Sequence, residues 1–263
     1  MPVPIVWTAV DTLPTWTLTD LDILKRLQYS LMESLFNTNA DGINFLTTRT
    51  SPAELTTFMN QRQQNFLYLT GAIVVRATAA SVGGQPSYNY PSNKIHARSI
   101  TWQAVDSSGN LTGKPKRLER TDAFALSLTE GDPPGRPRFF DDGSAQPTLE
   151  FRVSPVTSAA GQFRLMMVPQ PVTLLGSGTA LSIPDEMASA LHFGVMADFL
   201  SSDGESLDAD RAAFAESLYD LMVDVTCIML GNDPPQRKQS DRAGSGAGGS
   251  SDNATAAPAS ASS

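Results

Sequence analysis

The chain has 263 residues, a net charge of −8 and a hydrophobic fraction of 41%. That is enough apolar material for a core, and the acidic balance excludes a dedicated nucleic-acid binder, which needs surplus Lys and Arg against phosphate. A single cysteine, Cys227, excludes an intrachain disulfide and fits a reducing cytoplasm.

The first residues, Met-Pro-Val-Pro-Ile-Val-Trp, carry neither a basic region nor a long apolar run, so no secretory signal is expected. The longest apolar runs, such as residues 67–75, fall far short of a membrane span. Trp7 and Trp16 either order a docking arm or cover the end of the helical part. Residues 19–36 read as a helix that Thr19 caps, with a stripe of Leu24, Leu27, Leu31 and Leu35. Residues 37–50 read as a loop with the turn signal Asn39-Ala40-Asp41-Gly42. A second helix opens at Ser51, with Pro52 in its first position and Glu54 placed to complete a capping box. Its stripe is Leu55, Phe58, Met59, Phe66, Leu69 and Ile73. The polar run at residues 60–65 reads as a solvated face or as a contact with a neighbouring subunit.

After Ala79 the texture changes, and residues 81–93 are rich in Gly, Pro and Ser. From Lys94 the pattern is β: His96, Arg98, Ile100, Trp102 and Ala104 fall on one face, and Ile95, Ala97, Ser99 and Thr101 on the other. Residues 106–110 predict one hairpin loop. Phe139-Phe140 running into Asp141-Asp142-Gly143-Ser144 predicts another. Leu149, Phe151 and Val153 alternate, residues 155–161 turn, and Phe163, Leu165 and Met167 alternate again. A small antiparallel sheet or sandwich of about four to six strands is expected.

Residues 181–231 read as a helical hairpin. Pro184 suits a first turn, Asp185 and Glu186 suit the positive end of the helix dipole, and Met187, Leu191, Val195 and Phe199 form a stripe. Residues 201–204 break the helix, and Asp208 caps the next. Its stripe is Arg211, Phe214, Leu218, Met222, Val225 and Met229, with Gly231 as its stop and Pro234 and Pro235 beyond. Residues 232–263 hold little that is apolar and larger than Ala, and predict a flexible tail. In that tail Arg237, Lys238 and Arg242 cancel Asp233, Asp241 and Asp252, so the acidity belongs to the folded body.

The fold class expected is α+β: a helical bundle from N- and C-terminal helix pairs, an inserted antiparallel β module and a disordered C-terminal tail. Residues 1–80 form the N-terminal helical part, 81–180 the β-rich lobe, 181–231 the C-terminal hairpin packing with the N-terminal helices, and 232–263 the tail. A helical hairpin cannot bury its stripe alone, so the two pairs need each other or another subunit.

Catalytic chemistry finds little support. His96 lies in a strand with no carboxylate or thiol at ligand spacing, and His192 sits beside Phe193 in a helix, so neither predicts a metal site. Cys227, between Val225 and Ile228, reads as a buried inert thiol. No nucleophile-elbow, zincin or phosphate-loop pattern occurs. Gly176-Ser177-Gly178 reads as a plain loop and Asp141-Asp142-Gly143 as a turn. No enzyme activity, metal or cofactor is expected. One cluster stands out: Lys114, Lys116, Arg117, Arg120, Arg136 and Arg138 are six of the 19 basic residues. They predict either a solvated edge or an electrostatic contact with an acidic partner or passing DNA. Lys116, Arg117, Arg120, Arg136 and Arg138 are the candidate interaction residues.

The segment Leu181-Ser182-Ile183-Pro184-Asp185-Glu186, followed by Ala190-Leu191, Asp203-Gly204-Glu205, Arg211, Phe214 and Tyr219, resembles the C-terminal hairpin of head-to-tail connector (adaptor) proteins of tailed bacteriophages. Gly135-Arg136-Pro137-Arg138-Phe139-Phe140 is similar to that family's Gly-x-Pro-x-x-aromatic opening of a strand. Residues 149–155 and 163–169 resemble its next two strands, and residues 51–73 the helix before its β module. The likeness spans most of residues 19–231. This chain has only Pro155 where the family often has Pro-x-Pro, Phe140 where Tyr is usual, and a tail that is not a usual feature. The resemblance implies a structural virion neck protein with no enzymatic role, made in the bacterial host cytoplasm and placed at the head–tail junction. Its implied partners are copies of itself in a ring, typically a dodecamer, the portal protein, tail or stopper proteins, and passing double-stranded DNA without sequence-specific binding. No membrane is involved. A stopper or tail-completion protein of a tailed phage is the neighbouring alternative, and a non-viral binding module a more distant one.

Overall fold

The computed structural model describes residues 5–31, 51–128, 132–141, 150–202, 208–232 and 235. Helix α1 (Asp20–Ser30) begins after Thr19, whose N–H and hydroxyl both donate to the Asp22 carboxylate, at 2.9 and 2.8 Å. Ile23, Leu24 and Leu27 turn into the core. Helix α2 (Pro52–Thr70) opens at Pro52 as expected, but Ser51 makes no side-chain cap hydrogen bond. The fixed φ of Pro52 and the Ser51 carbonyl, which accepts from Leu55 N–H at 3.1 Å, start the helix without it. α2 stops at Gly71, whose φ of 57° is left-handed, so Ile73 lies beyond the helix.

The polar run inside α2 is only in part a solvated face: Gln61, Gln64 and Asn65 are exposed, while Asn60, Arg62 and Gln63 turn inward. Gln63 is fully buried; its amide donates to the Val172 carbonyl at 3.2 Å and accepts from Ser182 N–H at 2.8 Å. Asn60 likewise accepts from Leu174 N–H at 2.8 Å and donates to the Leu174 carbonyl at 3.1 Å. Residues 170–184 have no strand ladder of their own, and buried backbone groups must pair. The two amides supply both donor and acceptor.

Nine strands among the described residues form two sheets. The first runs β1 (Thr8–Ala9), β2 (Val75–Ser81), β9 (Gly161–Pro169), β4 (Lys94–Val105), β5 (Leu111–Arg117), all antiparallel. The second runs β3 (Ser87–Asn89), β8 (Glu150–Ser154), β7 (Phe139–Asp141), β6 (Glu119–Arg120). Its β6–β7 pair is parallel, a departure from the antiparallel expectation. The hairpin predicted at residues 106–110 joins β4 and β5, and the Asp106 carboxylate accepts from Ser108 and Asn110 N–H at 2.8 Å each. β7 and β8 pair antiparallel, as the second hairpin signal implies. β8 and β9 do not pair; the chain crosses between sheets after Ser154.

The boundary expected at 80/81 falls inside β2, where Val75, Ala77, Ala79 and Ser81 face in and Arg76 and Ala80 face out. The predicted faces of β4 also shift. Its pairing with β9 slips between Ala97 and Ser99, so Ala97 and Ile100 are both buried while Arg98 is exposed. A bulge of this kind reverses the alternation downstream. The sheets meet through aromatic rings: Phe163 lies edge-on to Tyr88 and Phe151, with centroids 4.8 and 5.4 Å apart. Trp7 belongs to this layer, not to the helices, since its Nε1 donates to the Asn89 carbonyl at 2.7 Å.

A short 3₁₀ turn, Asp185–Met187, leads into α4 (Ala188–Ser201). Pro184 stays extended ahead of it, and the Asp185 carboxylate accepts from Thr17 and Leu18 N–H at 3.1 and 3.0 Å. The Thr17 hydroxyl, which also donates to this carboxylate, and those backbone bonds hold its pKa below the ordinary value. Leu191, Val195 and Phe199 are buried as expected, and α4 touches α1, α2 and α5 (Ala209–Met229). Asp208 caps α5 by accepting from Arg211 N–H at 3.1 Å. At the far end Gly231 takes a φ of 67°, and Asn232 N–H closes onto the Cys227 carbonyl at 2.8 Å.

Asp20 joins α1 to the loop before the 3₁₀ turn. Its fully buried carboxylate accepts from the N–H groups of Leu175, Gly176, Gly178 and Thr179 at 2.7–3.1 Å. Gly176 and Gly178 have φ of 72° and 95°, which wrap the backbone around the carboxylate. The expectations on Leu35, residues 37–50, Asp142-Gly143-Ser144, Asp203-Gly204-Glu205 and the tail beyond Asn232 lie outside the described residues, apart from Pro235.

Candidate interaction surfaces

β5 is exposed along its whole length and forms the edge of its sheet. Lys114, Pro115 and Lys116 guard that edge, because proline offers no N–H and lysine resists a flat neighbour. At buried Leu118 the chain passes into the second sheet as β6, where Arg120 lies opposite Phe140. Arg136 reaches back: its guanidinium donates to the Lys114 carbonyl at 2.7 Å and lies 5.8 Å from the Trp102 ring centroid. Arg138 joins through its backbone, its carbonyl accepting from Glu119 N–H at 2.8 Å.

Lys116, Arg117, Arg120, Arg136 and Arg138 therefore gather along one margin, although strand alternation turns Lys116 and Arg117 to opposite faces. Arg117 and Arg120 line a groove of about 420 Å³ together with Arg98 and Glu119. Arg164 lies in the same row of the sheet as Arg117, with Thr101 between them. Sequence spacing alone misses Arg98 and Arg164, which come from distant strands. Arg164, between inward Phe163 and Leu165, is legible as outward; Arg98 is masked by the bulge. Guanidinium groups around one groove favour carboxylate or phosphate groups. Beside this margin, α3 (Ala123–Ser127) begins at Asp122, which accepts from Ala125 N–H at 2.6 Å.

The second surface is α5. Its buried residues are Ala212, Ala215, Tyr219, Val223, Thr226 and Cys227. The predicted inward stripe is corrected: Arg211, Phe214, Val225 and Met229 are exposed and Leu218 and Met222 half-buried. Phe214, Leu221 and Ile228 are 64%, 55% and 67% exposed. Helical spacing sets Phe214, Leu221, Val225 and Ile228 opposite the buried face. The helix is apolar on both sides, and small alanines let the inner side pack against α4, so pattern alone selects the wrong face.

Under α5, Arg62 of α2 ties three helices together. It donates to Asp198 of α4 through Nε at 2.7 Å and through Nη2, and to Glu216 of α5 at 2.7 and 3.0 Å. Its guanidinium also lies 4.7 Å from the Tyr219 ring centroid. Burial opposes the charge on Arg62, but the two carboxylates outweigh it and raise its pKa. Burial pushes the Tyr219 phenol up to about 12. A Cβ on Gly194 would meet Arg62 Cδ and Tyr219 Cδ2 at 2.9 Å. Gly-to-Ala within a helix ordinarily stabilises by about 1 kcal/mol. Here Gly194→Ala is expected to destabilise by about 1–2 kcal/mol, read from its urea midpoint, because the pinned arginine has nowhere to go.

The family model for SU10 adaptor protein matches residues 11–242. The chain belongs to the SU10 adaptor protein family. Comparison with curated proteins gives no match. The SU10 adaptors are structural head–tail proteins of phages, not an enzyme class, and membership makes this adaptor a virion component. Among the described residues, no three His, Cys, Asp or Glu side chains gather to hold a metal ion, and no helix is long and apolar enough to cross a membrane.

Burial in α4 affects one histidine of the adaptor. His192 of α4 sits 3.1 Å from Ser30 Oγ through Nε2, while its buried Nδ1 has no hydrogen-bond partner. Burial, helped by the Arg26 charge, lowers its pKa below 6.5. The folded state thus prefers the neutral ring. Its contribution is complete above pH 6.5 and is lost as pH falls through the folded value. Adaptor stability is expected to decline across that window. His192→Gln should flatten the decline in thermal melts at pH 5 to 8; an unchanged slope would exclude His192 as its source.

Proposed function

We propose that this adaptor forms a ring between portal and tail and lines part of the DNA conduit. The observation that carries the reading is α5, which presents an apolar face left exposed among the described residues. A helix apolar on two opposite sides belongs inside an assembly. The four long helices, read as one bundle, pack against neighbouring subunits and the portal, and the β-rich lobe at residues 81–180 faces the tail. The acidic body suits a conduit that lets DNA pass without holding its phosphates. The tail at residues 232–263 serves as a portal-docking arm.

Mass measurement in solution, alone and with the portal, tests the reading. A large ring, or a monomer that becomes a ring on the portal, supports it. A monomer or dimer indifferent to any portal overturns it, and a ring that binds only the tail tube turns the assignment to a stopper. Portal binding unchanged by deletion of residues 232–263 would refute the docking role of the tail.

A further inference from the structure

We propose that α5 of one copy docks head-to-tail on the basic β5–β6–α3 margin of a second copy. The proposal rests on the ring-forming reading and specifies which surfaces meet.

The two surfaces are complementary in both charge and apolarity. α5 carries Asp210, Asp220 and Asp224 against the single cation Arg211, its Glu216 being engaged by Arg62. At helical spacing, Asp210 heads its outward stripe of Phe214, Leu221, Val225 and Ile228, and Asp224 borders that stripe on one side. The margin carries Lys114, Lys116, Arg117 and Arg120 against Glu119 and Asp122. Just beyond it, Phe124 and Leu128 are 73% and 72% exposed. They stand four residues apart, Phe124 in α3 and Leu128 at its C-cap, so that they fall on one side.

Each surface thus combines exposed apolar side chains with one dominant sign of charge, and the signs are opposite. Neither suits its own image, because two acidic helices or two basic margins would repel. A two-fold contact through either patch is therefore disfavoured. A contact between the two different patches satisfies both; passed from copy to copy it closes a ring or runs on as a filament, whereas a reciprocal pair of such contacts would stop at a dimer. Duplex DNA fits the margin less well, since Phe124 and Leu128 give a phosphate backbone nothing to pair with.

The test uses two full-length charge-reversed variants, K116E/R117E and D210K/D224K, each checked for a wild-type melting curve. Alone, each should need about tenfold more protein to assemble than wild type. An equimolar mixture should regain wild-type assembly, because every junction between unlike copies is again oppositely charged. Native mass spectrometry should then show the two variants alternating. A mixture no better than either variant alone overturns the proposal, as does either variant assembling like wild type. Reversals that leave assembly intact but abolish retention of a short duplex also overturn it and assign the margin to DNA. Wild-type and mixed copies that assemble in this pattern yet ignore the portal uphold the contact and overturn the proposed placement between portal and tail. A wild type that stays monomeric with and without the portal overturns both.

Discussion

Asp20→Ala is expected to lower the free energy of unfolding by about 4 kcal/mol, and Asp20→Asn by nearly as much. The carboxylate accepts four backbone N–H groups in a fully buried site. Each buried donor left unmade costs roughly 1–3 kcal/mol, and water entering the gap recovers part of the sum. Asparagine keeps the size but aims an NH₂ at donors, so it restores one side of the carboxylate and opposes the other. For a chain of this length the loss corresponds to a melting shift of about 8–16 °C. Amide exchange gives the local signature: the N–H groups of Gly176 and Gly178, protected in the wild type, should exchange as fast as free loop amides. An Asp20→Asn protein within about 1 kcal/mol of wild type would show that the loop holds itself.

Arg62→Ala is expected to cost about 3 kcal/mol, since removing one partner of a buried ion pair strands the other. Asp198, with a side chain 25% exposed, bears most of that loss; Glu216, at 42%, is eased by solvent. The comparison that isolates the effect is Arg62→Met with Asp198→Leu and Glu216→Leu. That apolar triple should recover most of the stability, as replacement of whole buried ionic groups by packed apolar ones often does. A triple variant no more stable than Arg62→Ala in urea would locate the loss in packing of the arginine stem and not in stranded charge.

The difference between these two sites shows what a linear reading can reach. Helix starts at Pro52 and Ala209, the stop at Gly231 and the hairpin at residues 106–110 depend on neighbours within a few positions, and local chemistry predicts them. Asp20 binds a loop about 155 residues away and Arg62 a helix more than 130 away, so neither role has a local sign. Arg62 and Gln63 sit in a polar run that looks solvated because their partners are invisible to periodicity. β2 is hidden by its alanines, which are small enough to pack between sheets yet favour helix in isolation. The basic margin is half legible. Lys116, Arg117 and Arg120 are adjacent in the chain, while Arg98 and Arg164 join them only through strand register. The inward and outward faces of α5 are both apolar, and only the alanine side fits closely against α4.

The position of β9 carries a consequence for how the chain comes into being. The strand pairs with β2 on one side and β4 on the other, so residues 75–81 and 94–105 meet their common neighbour only at residues 161–169. During synthesis both waiting strands leave the ribosome with an unmet hydrogen-bonding edge, and neither the order of the five-stranded sheet nor the sheet interface at Phe163 exists until the ninth strand arrives. Long-range pairing of this kind slows the search for the native state. Chains halted before residue 161 should accumulate as insoluble material, and solubility should return only in chains that carry both β9 and α4, so that commitment to the fold falls late in translation.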